Sequence, residues 1–419
     1  MAENRGTVLF TKNMKKDYTI LAPSMLPLHF RMLEGVLNSF GYRVRVLETS
    51  GKHIIDKGLK YVHNDTCYPA LIVIGQLLDA LESGKYDPGK TALLLTQTGG
   101  GCRASNYVSL LRKAVAKAGY GQIPVIPLSF ANLERHPGFK LTVPMVHRML
   151  YAVLYGDLLM TLKNQCKPYE INRGESEALA SSWAERLSRE LGRKNRISYR
   201  KIRENYKSIV KDFSKISRTD ERKIRIGIVG EIYVKFSPIG NNNLEDFLIS
   251  EGAEPVLPGL LDFCLYCVYN GIVDAELYGI RRLKAFFCKI LYRFLIKKQK
   301  DLICSITENS NFRPMGYFEV TRILPEGIIG LGTKMGEGWL LTAEMLEFAS
   351  QGVHGIICTQ PFGCLPNHIA GKGMMNPVQK RHPDINIVAL DYDPGTSRIN
   401  QENRIKLMLS DAKSRAGCN

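Results

Sequence analysis

The sequence predicts an α/β protein made of two parallel-sheet domains joined by helices. Three observations carry this. From residue 19 to about residue 163, short apolar runs alternate with stretches of helical spacing, the pattern of strand–helix–strand units whose strands pair in parallel. After a charged helical interval the alternation resumes at residue 223 and continues to a final helix. Several apolar runs end in glycine-containing turns that pass straight into helices, as in open α/β sheets. The two halves share a plan without an obvious sequence repeat. The expected division is 1–165, a basic helical connection 166–222, and 223–419 with a helical insertion at about 260–300.

In the first domain, residues 6–10 and 19–22 read as strands, 26–40 as a helix, and 41–47, which alternate, as a strand. Residues 72–81 are apolar at helical spacing; Asp65 or Thr66 is placed to cap that helix, and Pro69 suits its first turn. Residues 91–95 form a buried strand and 105–117 a helix; 123–128 form a further strand and 143 to about 163 a helix. In the second domain, strands are expected at 223–232, 255–257, 355–359 and 385–390. Helices are expected through about 252, over most of 260–300, at 341–350 and from about 400.

Composition bounds the setting. The chain has 419 residues, 45% hydrophobic and 23% charged, as in a soluble globular protein with room for two or three cores. Residues 1–16 are polar and charged, without the basic-plus-apolar pattern of a secretory leader, and charges interrupt every apolar run well short of a span. A cytoplasmic location without a membrane span is therefore expected. Ten cysteines in a reducing compartment point to metal binding or thiol chemistry rather than disulfides. The net charge of +17 concentrates in 186–225 and 281–298. The second stretch is an amphipathic basic helix that suits nucleic acid, an anionic membrane surface or an acidic protein. No recognised nucleic-acid motif accompanies it, so nucleic acid is not expected, and solvated helix faces are the plainer reading.

Three cysteines stand out by position. Cys102 lies where the loop Gln97-Thr-Gly-Gly-Gly-Cys102 meets a helix, and Cys364 follows a strand in Gln360-Pro-Phe-Gly-Cys364-Leu-Pro-Asn-His368. Cys67, in His63-Asn-Asp-Thr-Cys67-Tyr-Pro-Ala70, precedes another helix. Unpaired backbone N–H groups and the helix dipole at such places favour a thiolate or an anionic ligand. The plain alternative is a glycine turn beside an inert cysteine. His63 and His368 lie close by, and either reads equally well as a satisfied structural histidine.

Other motifs are weaker. Gly330-Leu-Gly332-Thr-Lys-Met-Gly336 has neither dinucleotide nor Walker spacing and reads as a turn or a loop near the site. Asp393-Pro-Gly-Thr-Ser397 faintly resembles a phosphate loop of actin-like ATPases, without a second loop to complete it. Cys264 and Cys267 form a C-x-x-C in an apolar helical stretch, where packing on one face competes with metal ligation. Cys288 and Cys304 read as packing, Cys358 as a strand residue, and Cys166 and Cys418 as peripheral.

The four segments around Cys67, Cys102, Gly230-Glu-Ile-Tyr-Val and Cys364 resemble the 2-hydroxyacyl-CoA dehydratase superfamily, closest to the carboxy-terminal part of the large fused acyl-CoA dehydratase activase proteins. The similarity runs from Gly6 to about Leu409. It implies two flavodoxin-like or Rossmann-like domains with a 4Fe–4S cluster, or a larger double-cubane relative, held by cysteines in the cleft between them; here these are Cys67, Cys102 and Cys364. It also implies an ATP-dependent activator protein that carries its own cluster and delivers a low-potential electron. That activator is expected as a separate partner, in a homo- or hetero-oligomer. Three thiolates would leave one iron open for chemistry, by analogy with catalytic zinc sites. Two classes then compete: a redox enzyme working at an open-site cluster, and a noncatalytic relay or scaffold for a separate dehydratase or reductase. A third reading is a zinc- or thiol-based binding module. No acyl-CoA pocket is identifiable from the sequence, and neither the substrate nor any catalytic residue is named by it.

Overall fold

A computed structural model describes residues 7–63, 65–98, 100–128, 134–193 and 197–415. Eight strands form two four-stranded, all-parallel sheets flanked by helices, a two-domain α/β fold. The first sheet contains β1 (Thr19–Pro23), β2 (Val44–Leu47), β3 (Thr91–Thr96) and β4 (Val125–Leu128). The second contains β5 (Ile224–Gly230), β6 (Ala253–Val256), β7 (Gly355–Pro361) and β8 (Asn386–Tyr392). Their orders, β2-β1-β3-β4 and β6-β5-β7-β8, are the same winding used twice. In each, the strand order reverses beside the first strand of the domain, which leaves a crevice at the carboxyl ends of β1 and β3, and of β5 and β7. β3 and β7 are the equivalent strands of the two sheets, and Cys102 and Cys364 follow them.

The strands read as buried because both faces are covered. β3 exposes only its last residue and β7 is buried throughout, so neither alternates. Sequence patterning missed the Lys52–Tyr61 helix, which is polar on its outer face and buries only Ile54 and Gly58. Residues 7–10 do not form a strand; Phe10 is buried there, and its backbone N–H donates to His136 Nδ1 at 3.0 Å. Gly6, Asn64, Gly99, residues 194–196 and Cys418 lie outside the described residues.

The connection is more than a linker. The Glu175–Leu191 and Tyr199–Ser214 helices bury Trp183, Leu187, Ile202, Tyr206 and Phe213 in the same core as Met32, Leu154 and Leu158. Their charged residues form only the outer face, which is what misled the reading of composition. Cys166, expected at the periphery, is wholly buried.

The long Val143–Cys166 helix ties the halves together. Its Asp157 is fully buried, bonds His29 Nε2 at 2.9 Å, and accepts from the N–H groups of Leu260 and Leu261 at 2.7 and 2.9 Å. One carboxylate thus caps the Leu260–Tyr278 helix of the second domain while gripping the first. A second core spans the junction, joining Leu71, Leu93 and Tyr107 to Ile226, Val234, Ile357 and Cys364. Among the described residues, no helix is long and apolar enough to cross a membrane.

Candidate metal centre

The three cysteines lie around the junction of the two sheets, near enough for charge on Cys67 to be felt by Cys364 and charge on Cys102 by Cys67. Cys67 occupies the N-cap position of the Tyr68–Glu82 helix, a place expected for Asp65 or Thr66. Its side chain makes no cap bond; the next N–H, of Tyr68, donates at 3.2 Å to Phe362 O in the opposite domain. Cys102 caps a short 3₁₀ turn, Arg103–Asn106, which runs into the Tyr107–Lys117 helix. Cys364 follows the turn after β7, whose Gly363 has φ +77 and lies against Cys67: a Cβ built there sits 3.5 Å from Cys67 Cα.

The glycine-rich 330–338 loop closes the other side. The Gly101 N–H points to Met335 Sδ at 3.2 Å. A Cβ at Gly336 would stand 3.8 Å from Cys102 Sγ and 3.0 Å from Pro366 Cγ. Glycine suits this left-handed turn (φ +59), and what a side chain would crowd there is Pro366, since 3.8 Å from the sulfur is ordinary contact. The loop is therefore part of the site and not a nucleotide cradle. Asp393-Pro-Gly-Thr-Ser397 likewise folds on itself, with Gly395 N–H donating to Asp393 Oδ1 at 2.7 Å.

Electrostatics show that the sulfurs share one environment. Burial chiefly, then the charge of Glu231 and a weaker effect of Cys102, push the Cys67 thiol far up. Burial, then Glu337, Glu231 and Cys67, do the same to Cys364, and burial with Glu337 and Glu231 raises Cys102. Polar groups beside each sulfur pull the other way: the Tyr107 hydroxyl for Cys67, the Ala104 N–H and Thr98 hydroxyl for Cys102, and the Asn367 N–H for Cys364. Protons on these thiols are what a metal would displace on binding.

Glu231 and Glu337 were not singled out from the sequence. Glu231 begins the turn after β5, directly at the switch point, and its Oε2 accepts from Val234 N–H at 2.8 Å. Burial, and then Glu337, raise its pKa to about 8. Glu337 accepts the Ile232 N–H at 3.0 Å, and burial raises it as well. Position at a strand's carboxyl end was the available signal for Glu231. Nothing local marked Glu337 or Met335.

The histidines are not ligands here. His63 is exposed and pairs with Asp65 at 3.1 Å. His368 Nδ1 lies 2.8 Å from Cys364 O and its Nε2 2.7 Å from Gln360 Nε2. Since a carbonyl only accepts, Nδ1 carries the proton and His368 braces the Cys364 turn. Cys264 and Cys267 do not share a packed face: Cys264 is half-buried and Cys267 is exposed.

The residues fit a sulfur-ligated cluster on three counts: three soft donors, polar groups beside each sulfur, and side-chain-free turns next to them. Among the described residues, no three His, Cys, Asp or Glu form a group that could hold a metal ion as they stand. A tetrahedral zinc with Zn–S bonds of about 2.3 Å needs sulfurs within about 4 Å of one another, whereas sulfide-bridged irons spread their thiolates further apart. Compared with known proteins, the chain matches no family model, and no curated protein is significantly similar to it.

Proposed function

We propose that the chain is an iron–sulfur redox protein of the 2-hydroxyacyl-CoA dehydratase/activase type, which takes a low-potential electron from an ATP-dependent activator. The observation that carries this reading is the approach of Cys67, Cys102 and Cys364 at the junction of two identically wound sheets, each with a polar group beside it. The three thiolates would hold a 4Fe–4S cluster, or one cubane of a larger assembly. Such a cluster supplies one-electron chemistry at low potential, with an iron free of protein thiolate for substrate.

The chain's own residues supply the rest. Hydrogen bonds from Tyr107, Thr98, Ala104 and Asn367, which lie beside the sulfurs, would spread their negative charge and tune the potential. Buried Cys67 and Cys364 keep water from that side, while half-buried Cys102 marks the accessible one. Glu231, whose pKa burial and Glu337 raise to about 8, is a carboxyl able to take up a proton beside the sulfurs near neutral pH.

The relay reading is favoured by one feature. Met335, Phe362 and Leu365 are exposed apolar side chains beside Cys102 and Cys364, which suits contact with another protein over contact with a small substrate. Single turnover with activator and reductant separates the two readings: an enzyme consumes substrate at the rate of electron arrival, whereas a relay is oxidised only when its acceptor protein is added. Replacing Cys67, Cys102 or Cys364 with Ser should strip iron, and Cys166→Ser should not. Full iron in all three single variants would sink the assignment.

A further inference from the structure

The Leu260–Tyr278 and Arg282–Asn309 helices form an antiparallel hairpin. The carboxyl half of the second helix packs on the Tyr199–Ser214 helix, with Tyr199 hydroxyl bonding Asp301. Its amino half runs past that support and lies on the hairpin partner, through Cys288 against Gly271 and Tyr292 against Tyr269, with Tyr292 also edge-on to Phe318 and Phe294 near His147 at its inner end. On the face turned away from the partner lie Leu283, Phe286, Phe287, Ile290, Leu291 and Phe294, exposed by 73, 59, 60, 54, 45 and 37%. Their spacing of three and four residues makes a continuous seam, with Leu283, Phe287, Ile290 and Phe294 at the alternating core positions of a coiled coil.

We infer that this seam packs against the same seam of a second copy of the chain, so that two hairpins close a four-helix bundle. Area is the first argument. Large side chains carry about 150–250 Å² each, so the six present roughly 600 Å² of apolar surface, at the top of the range for a monomer's largest patch. With the Arg and Lys stems beside it, the face reaches the low end of the area of a specific complex, about 600 Å² per partner. Geometry is the second: a straight ridge at coiled-coil spacing is complementary to its own image about a two-fold axis.

Charge decides what distinguishes this occupant from others. Between 276 and 297 the only acid is Glu276, which pairs with Lys289 at 3.6 Å. At 100° per residue, Arg282, Lys289 and Arg293 line one side of the seam and Lys284 the other. In a pair of copies, cations face cations, exposed and within reach of salt screening. An anionic bilayer or an acidic protein would instead be attracted by them. Self-association must therefore tighten as salt rises, and binding to an anion must weaken.

The test is analytical ultracentrifugation of the full chain at about 0.05 M and about 0.5 M salt, where the Debye length falls severalfold. The expected species is a dimer of the 47.1 kDa chain, with a dissociation constant several-fold lower at the higher salt. Phe287→Glu with Ile290→Glu should give a monomer that keeps the wild-type helical content by circular dichroism, since both side chains are exposed. Lys289→Glu with Arg293→Glu, which spares the seam, should keep the dimer and flatten or reverse its salt dependence. A wild-type monomer at both salts, a dimer untouched by the seam variant, or dissociation on adding salt would each overturn the inference. Monomeric chain that co-sediments with phosphatidylserine vesicles through Phe287 would overturn it in favour of a lipid surface.

Discussion

Gly363→Ala probes the turn that joins two of the three proposed ligands. Gly363 has φ +77, a conformation that costs an alanine on the order of 1 kcal/mol. The added Cβ would lie 3.0 Å from Arg103 Nη1, and 3.5 and 3.6 Å from Cys67 Cα and N. The arginine end is flexible and swings aside, and the Cys67 distances are ordinary contact, so backbone strain dominates. The predicted loss is about 1–2 kcal/mol, a fall of roughly 2–8 °C in the melting temperature of a unit this size. Iron loading should fall further than that stability loss implies, because any relaxation of the turn moves Cys364 against Cys67. Gly101→Ala is the control: φ there is not positive, and its Cβ meets only Met335, at 3.4 Å from Sδ and 3.5 Å from Cγ, so the backbone tolerates it. The assay is a thermal melt of apoprotein beside iron per chain after anaerobic reconstitution. A lower melt with normal iron would mean that the turn serves the fold alone, and an unchanged melt would refute the strain argument.

Asp157→Asn should cost about 3–5 kcal/mol, because an amide cannot accept from His29, Leu260 and Leu261 together; a urea midpoint measures it. Glu347 is held protonated, by burial first and by Glu344 second, to about pH 7. Its contribution to stability is full below the unfolded value of 4.5 and is lost as pH rises through 7, a change of roughly 3 kcal/mol. Glu347→Gln should flatten that part of the pH–stability curve, and a curve as steep as wild type would count against the assignment. Arg200 and Lys201 pair with Glu204 at 2.9 and 4.0 Å on an exposed helix face, so reversing both charges should change stability by no more than about 0.5 kcal/mol. If an acidic activator docks there, the same variant slows electron delivery at low salt with iron content unchanged; rates that match wild type at every ionic strength leave that face merely solvated.

Much of the fold was legible because its signals are local. Apolar runs such as 91–95 and 355–359 are too short for helices and too continuous for half-exposed strands, and both form buried parallel strands. The cysteine positions were legible for the same reason, since each follows a glycine turn or precedes a helix. What escaped depends on tertiary packing. The basic helices after Cys166 look like linkers by charge, yet Trp183, Tyr206 and Phe213 anchor them in the core. Cys67 serves as an N-cap where Thr66 seemed better suited, because the opposite domain's Phe362 O takes the Tyr68 N–H. Glu337 reaches the cysteines only because a loop 235 residues beyond Cys102 folds back onto it, and no window of sequence contains that distance.

The most direct test of the central claim is the iron and acid-labile sulfide content of anaerobically purified chain, read with electron paramagnetic resonance of the reduced protein. The account predicts about four irons and as many sulfides per chain, or about eight if Cys264 and Cys267 join a second cubane. It also predicts a reduced-cluster signal that disappears when Cys67, Cys102 and Cys364 are all changed to Ser. Zinc or no metal at wild-type thiols, or an undiminished iron signal in the triple variant, would contradict it.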